Sequence, residues 1–346
     1  MRKTKVWAQT FAVIVTLLLG STLCFTQDFQ IHTRVDEVLV PVSARDGNGG
    51  LVTSLTQEDF TVKEDGKPQM IASFSADPKP LSVALIVDTS MSGSELHRLT
   101  PLISTMIHEF QASDEVAVYR YDHLVTKLSD FTDNAQTIEN SLVAIRLIAD
   151  TKTEDSETGR TIGPSPLRWI LDRTNIGTNG APGQAGTVPT TPPRSSLPSK
   201  VLHDAVYMAA VDLGKRAKDR RRIVILVSDG QVIGDNEHSV SETNEWLLRY
   251  DIQFYAVSPN TKILERAAIL TSYARNTGGS VFDGGTVDTV ALGVAKLVDQ
   301  ARNQYILGYY SNNEITGTKP VYRKIDIKIR DAKYKIVHRQ GYTQYP

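Results

Sequence analysis

Three observations predict an α/β protein built on a doubly wound, mostly parallel sheet with helices on both faces. First, two near-continuous apolar runs, SVALIVD (Ser82–Asp88) and IVILVSD (Ile223–Asp229), have the pattern of strands buried on both sides. Second, segments of helical spacing lie between such runs, for example Leu99, Ile103, Ile107 and Phe110. Third, both ends of the chain carry short stretches of period-two alternation instead, which predict a small β-sandwich-like module made from N- and C-terminal segments.

The elements follow in order. Arg2, Lys3 and Lys5 precede a charge-free apolar run from Phe11 to Leu19, the pattern of a secretory leader over residues 1–26. The longer apolar stretch from Val6 to Phe25 is also long enough to serve as a signal-anchor. Either way the chain is expected to be secreted, periplasmic or held at the cell surface, with membrane contact only through an uncleaved leader. Residues 27–78 form the N-terminal β part: VDEVLVPV (Val35–Val42) and FTVKE (Phe60–Glu64) read as strands. The turn signal Asp46–Gly50 and a short helical turn at Leu55–Asp59 separate them.

Residues 79–300 form the α/β domain. Strands are expected at Ser82–Asp88, Glu115–Tyr121, Ile223–Asp229 and Ile252–Ser258, and helices at His97–Gln111, Ala135–Ile148, Asn244–Arg249 and Leu264–Asn276. A segment over 150–199, rich in Thr, Gly, Pro and Ser, interrupts it. It has too little apolar surface to offset its ordering entropy and reads as a flexible insertion, with one short helix at Leu167–Leu171. Residues 301–346 return to β structure through QYILGYY (Gln304–Tyr310), RKIDIKIR (Arg323–Arg330) and YKIVHRQGY (Tyr334–Tyr342), which pair with the N-terminal strands.

Composition excludes several functions. With 38 basic and 39 acidic residues the net charge is -1, and there is no basic stripe for nucleic acid. Loss of Arg2, Lys3 and Lys5 with the leader makes the exported chain mildly acidic. The single cysteine, Cys24, lies in the leader, so thiol and disulfide chemistry is excluded from the rest. His108-Glu109 lacks the remainder of a zinc-protease motif, and no nucleophile elbow precedes a helix. His97, His108 and His203 have no second ligand at metal spacing, which leaves them surface or packing roles.

One constellation carries chemistry. Asp88-Thr89-Ser90-Met91-Ser92 places a carboxylate and two hydroxyls on one loop, at the carboxyl end of a buried strand, where open α/β sheets bind ligands. Hard oxygen donors suit Mg²⁺, with Ca²⁺ or Mn²⁺ as alternatives. Asp229, in Ser228-Asp229-Gly230, ends the second strong strand and supplies a second carboxylate if the two strands are neighbours. The same residues also suit helix capping, since Asp88 and Ser90 precede a periodic segment.

D-x-S-x-S followed by a later S-D-G resembles the metal-ion-dependent adhesion site of von Willebrand factor A (vWA) domains. Leu55–Phe74, Ala274–Gly279, Gln304–Tyr310 and Arg323–Ile329 are similar to segments of the VWFA-related proteins of acidobacteria. The resemblance implies that Ser90 and Ser92 ligate a metal directly, with Asp88 and Asp229 binding directly or through water. It also implies that an acidic side chain of a protein partner completes the metal shell. The family's further threonine has no equivalent: the matching stretch is Ser199-Lys200-Val201-Leu202-His203-Asp204-Ala205, with Lys200 at that place. Ser199 can lend its hydroxyl instead, leaving a weakened metal site, and this is the reading adopted here. Alternatively the Lys200 ammonium replaces the cation, leaving no metal, or Lys200 turns to solvent. The function expected is adhesion or protein–protein binding through the metal. A metal-independent envelope scaffold is the alternative, and a metal-assisted hydrolase using Asp88 and Asp229 is a third reading. A non-enzymatic role is favoured.

Overall fold

The structure is a computed structural model that describes residues 37–97, 99, 106–158, 200–258, 268–283, 287–314 and 317–346. The leader, most of the 150–199 segment with its Leu167–Leu171 helix, and Ser199 lie outside the described residues.

The central sheet has six strands, in the order β10-β9-β8-β5-β6-β7. These are β5 (Leu81–Asp88), β6 (Glu115–Tyr121), β7 (Val125–Thr132), β8 (Arg221–Val227), β9 (Ile252–Ser258) and β10 (Val281–Asp283). All neighbours are parallel except β7, which runs antiparallel to β6. Every residue of β5, β8 and β9 is buried, as expected of strands covered on both faces.

Alternate residues of β5 feed two separate cores. Val83, Leu85 and Val87 pack with Ile138, Leu142, Ile145 and Ala149 of α1 (Ala135–Thr158). Val294, Leu297, Val298 and Ala301 of a last helix complete that layer. On the opposite face, Ala84 and Ile86 pack with Leu202, Ala205, Val206, Ala209 and Leu213 of α2 (Leu202–Gly214). Leu247 of α3 (Val240–Arg249) and Leu270, Tyr273 and Ala274 of α4 (Ala268–Thr277) join them. The last helix is α5 (Val287–Arg302). The three-and-four spacing within each helix is what puts these side chains on one stripe.

Two four-stranded antiparallel sheets form the second module, in the orders β13-β1-β11-β4 and β14-β12-β2-β3. The N-terminal strands are β1 (Glu37–Arg45), β2 (Phe60–Glu64), β3 (Lys67–Gln69) and β4 (Ile71–Ser75). The C-terminal strands are β11 (Tyr305–Tyr310), β12 (Val321–Ile329), β13 (Lys335–His338) and β14 (Gly341–Gln344). Each sheet therefore mixes both ends of the chain, with β1 on β11 and β2 on β12. Val38, Val40 and Val42 meet Phe60, Val62, Tyr305, Leu307, Tyr309, Ile325 and Ile327 between them. Tyr305 and Tyr309 are thus packing residues, whereas Tyr310 is 48% exposed. The fold class is the one the sequence predicts.

Several details differ from expectation. β7 went unrecognised because its sequence, VTKLSDFT, interrupts alternation with Lys127 and Asp130. Helix α1 continues to Thr158, past the expected start of the insertion. In that stretch Lys152 donates to the Asp88–Ser92 loop. Of the helix expected at His97–Gln111, residue 97 belongs to a helical stretch that starts earlier, at residue 93, and Met106–Glu109 form a 3-10 turn; residues 98 and 100–105 lie outside the described residues. The helix expected at Leu264–Asn276 is described from Ala268.

A candidate binding site at the carboxyl end of the sheet

β5 and β8 are neighbours in register, Val87 opposite Val227, so Asp88 lies level with Ser228 and Asp229 stands one residue further on. The two apolar runs thus deliver both carboxylates to one place. Asp88 is fully buried and Asp229 is 6% exposed.

Each carboxylate is already supplied with donors. Asp88 Oδ1 accepts from the Ser90 backbone N–H at 2.9 Å and from the Ser90 hydroxyl. Asp88 Oδ2 accepts from the Ser228 hydroxyl at 2.9 Å. Asp229 Oδ1 accepts from the Gln231 N–H at 2.9 Å, and Asp229 Oδ2 accepts from Lys200 Nζ at 2.8 Å. The same ammonium stands 3.9 Å from Asp88 Oδ2. Lys200 is only 5% exposed, so it does not turn to solvent. Burial pushes the Asp88 carboxyl above the usual range, against the pull of Lys200 and Ser90.

Ser92 behaves differently from Ser90. Its hydroxyl donates to Glu95 Oε2 at 2.8 Å and faces the Glu95 N–H at 3.3 Å, while the Ser92 N–H approaches Glu95 Oε2 at 3.3 Å. Ser92 and Glu95 form the reciprocal cap of the helix that starts at residue 93. The capping role weighed for Asp88 and Ser90 is thus carried by Ser92.

The local fold explains why Lys200 points inward. Its N–H donates to the Ile233 carbonyl at 2.8 Å, and the next N–H, of Val201, donates to the Asp122 carbonyl at 3.1 Å. Immediately after, Asn236 Oδ1 caps α2 by accepting from the His203 and Asp204 N–H groups at 2.9 and 3.4 Å. Asp204 returns the contact, accepting from the Glu237 and His238 N–H groups at 3.1 and 2.8 Å and lying 3.0 Å from His238 Nδ1. Gly230, at φ 74°, makes the bend that turns the chain after Asp229, a conformation that favours glycine.

A divalent ion does not fit these residues as they are placed. Mg²⁺ needs about six oxygens near 2.1 Å. Here an ammonium lies within 4 Å of both carboxylates and repels a second cation. Among the described residues, no group of three or more His, Cys, Asp or Glu side chains is placed to hold a metal.

No protein-family model matches the chain, and no curated protein matches it. Solved structures do. BatB of Bacteroides thetaiotaomicron aligns at 12% identity over 64% of this chain and 98% of its own, with a TM-score of 0.41. An aerotolerance-related membrane protein of Bacteroides fragilis aligns at 12% identity over 64% of this chain and 99% of its own, with a TM-score of 0.40. Proximal thread matrix protein 1 of the mussel byssus, with a zinc-occupied MIDAS motif, aligns at 14% identity over 69% of this chain and 49% of its own, with a TM-score of 0.42. Likeness at this level bears on neither ligand nor activity.

Sequence reasoning missed five contributors. Ser228 bridges Asp88 to Tyr121, whose hydroxyl is 2.8 Å away. Burial, with Asp88 nearby, pushes the Tyr121 hydroxyl well above its ordinary range, so it stays a neutral donor. Lys152 donates to the Thr89 and Met91 carbonyls from the other side of the loop. Asn236 and Asp204 clamp the loop after β8. The serine of S-D-G was a visible signal for Ser228; the other residues join the site only through folding. His203 takes a packing role, its Nδ1 2.9 Å from the Tyr273 hydroxyl.

Proposed function

We propose that this chain is a protein-binding module of the vWA type, related to the VWFA-related proteins of acidobacteria, and that it works outside the cytoplasm. Its binding face is the loop end of the six-stranded sheet. The observation that carries this reading is the convergence of Asp88, Asp229 and Lys200 at the carboxyl ends of adjacent parallel strands. That buried polar cluster fixes the loops that carry Ser92, Glu95 and Gln231, and these three reach the surface and offer hydrogen-bonding groups to a protein partner. The leader over residues 1–26 is the basis for export. No helix among the described residues is long and apolar enough to cross a membrane.

Hydrolysis is the weaker reading, because both oxygens of Asp88 and of Asp229 are taken by internal donors. The metal-mediated form of adhesion is also weaker, given the placement of Lys200.

The test compares proteins cross-linked to the wild-type chain in an envelope extract with those cross-linked to Ser92→Arg and Gln231→Arg. A protein recovered by wild type and lost from both variants supports the binding face. If the same proteins are recovered throughout, binding lies elsewhere, with the β module the first place to look.

A further inference from the structure

We infer that Lys200 is the resident cation of this site: the chain itself supplies the positive charge that two buried carboxylates would otherwise require from a bound divalent ion. The inference deepens the binding-face reading, because recognition there then needs no metal and withstands chelators.

Several independent features converge on it. Lys200 Nζ is in hydrogen-bond contact with Asp229 and within ion-pair distance of Asp88, and all three side chains are removed from water. Two carboxylates this close and this buried are costly without a cation beside them. Lys200 does not reach the site by chance of rotamer. Its backbone is pinned to Ile233 and the next residue to Asp122, so its Cα is held between the loops after β8 and β6. The cap that Asn236 places on α2 holds the following turn, and Asp204 ties that turn back to residues 237 and 238.

A second ammonium supports the loop from the opposite side. Lys152, reaching from α1, donates to the carbonyls of Thr89 and Met91. The Asp88–Ser92 loop is therefore held by one lysine at its carboxylate and another at its backbone. The hydroxyls around the carboxylates turn their protons inward as well: Ser90 and Ser228 donate to Asp88, and Ser92 donates to Glu95.

The experiment uses the full chain and reads metal uptake and unfolding, not partner capture, so it is decided separately from the binding-face reading. Wild type is titrated by calorimetry with Mg²⁺, Mn²⁺ and Ca²⁺ and melted with and without EDTA. The expected result is no saturable heat and an unchanged Tm. Lys200→Thr in EDTA is expected to lose about 10 °C in Tm, because the carboxylates lose their partner, and to recover at least half of that in Mn²⁺ or Mg²⁺. Should Lys200→Thr fail to fold, the double variant Lys200→Met/Asp229→Asn decides, since it removes both charges. It is expected to fold and to melt cooperatively in EDTA, because no unpaired charge is left in the direct Lys200–Asp229 pair. Saturable divalent binding by wild type that Asp88→Ala abolishes overturns the inference. So does a Lys200→Thr chain that melts in EDTA like wild type, or, where that chain does not fold, a double variant that does not fold either.

Discussion

At the scale of single residues, the site depends on side chains that exchange hydrogen bonds in the absence of water. Ser228 shows this: fully buried, it donates to Asp88, accepts from the Gly230 N–H at 3.0 Å and meets the Tyr121 hydroxyl. Ser228→Ala leaves Asp88 short of a donor and is expected to cost roughly 1.5–3 kcal/mol in urea unfolding. An unchanged midpoint would mean that the hydroxyl contributes nothing there. Asp204 is the equivalent residue for the loop. Asp204→Ala frees the N–H groups of Glu237 and His238 and is expected to cost about 1–3 kcal/mol. Limited proteolysis should then cut within 230–239, where the wild type resists; equal resistance of the two chains would refute the clamp. The D-x-S-x-S pattern and the odd lysine were both legible in the sequence at this scale. The direction in which Lys200 points was not, because side-chain direction follows from a backbone pinned by partners more than 30 residues away.

At the scale of elements, the joints between helices and strands carry the tightest constraints. Helix α4 ends with Gly278 at φ 77°, and the Gly279 N–H returns to the Ala274 carbonyl at 2.9 Å. Of the Gly278-Gly279 pair, the first glycine stops the helix. The second has another reason: a Cβ on Gly279 would stand 1.9 Å from the Phe254 carbonyl oxygen. Gly279→Ala therefore forces α4 away from β9 and is expected to cost about 3 kcal/mol or more. Thermal unfolding within 2 °C of wild type would show that the joint yields. The strands with continuous apolar runs were legible because burial on both faces leaves no other pattern. β7 was not, since an edge strand can place Lys127 against Asp212, 2.6 Å away, and still hold its ladder.

At the scale of the whole molecule, a buried ion pair sits where the two modules exchange the chain. Asp114 receives Arg302 at 3.1 and 2.6 Å and the N–H groups of Leu81 and Gln111 at 2.8 Å each. It thereby joins the start of β5, the loop before β6 and the end of α5, just ahead of β11. Burial works against its ionisation, but Arg302 and the two N–H groups outweigh this and hold the carboxyl below the usual range. A depressed carboxylate stabilises the folded state at pH above its unfolded value, near ~4, and the contribution disappears as pH falls through the folded value. Wild type should therefore lose stability on acidification below about pH 4 more steeply than Asp114→Asn. Parallel pH profiles of the two chains would rule that linkage out. At neutral pH Asp114→Asn leaves Arg302 unpaired and is expected to cost about 3–5 kcal/mol.

Patterning alone determined the α/β class, the sandwich of chain ends and the pair of aspartates, because periodicity records which faces meet water and which do not. Tertiary structure decided what those aspartates hold. Whether a carboxylate faces a metal, a hydroxyl or an ammonium depends on strand order, on register and on the loop contacts that aim Lys200. None of these has a local signature, since each arises only when segments distant in sequence are brought within a few ångströms.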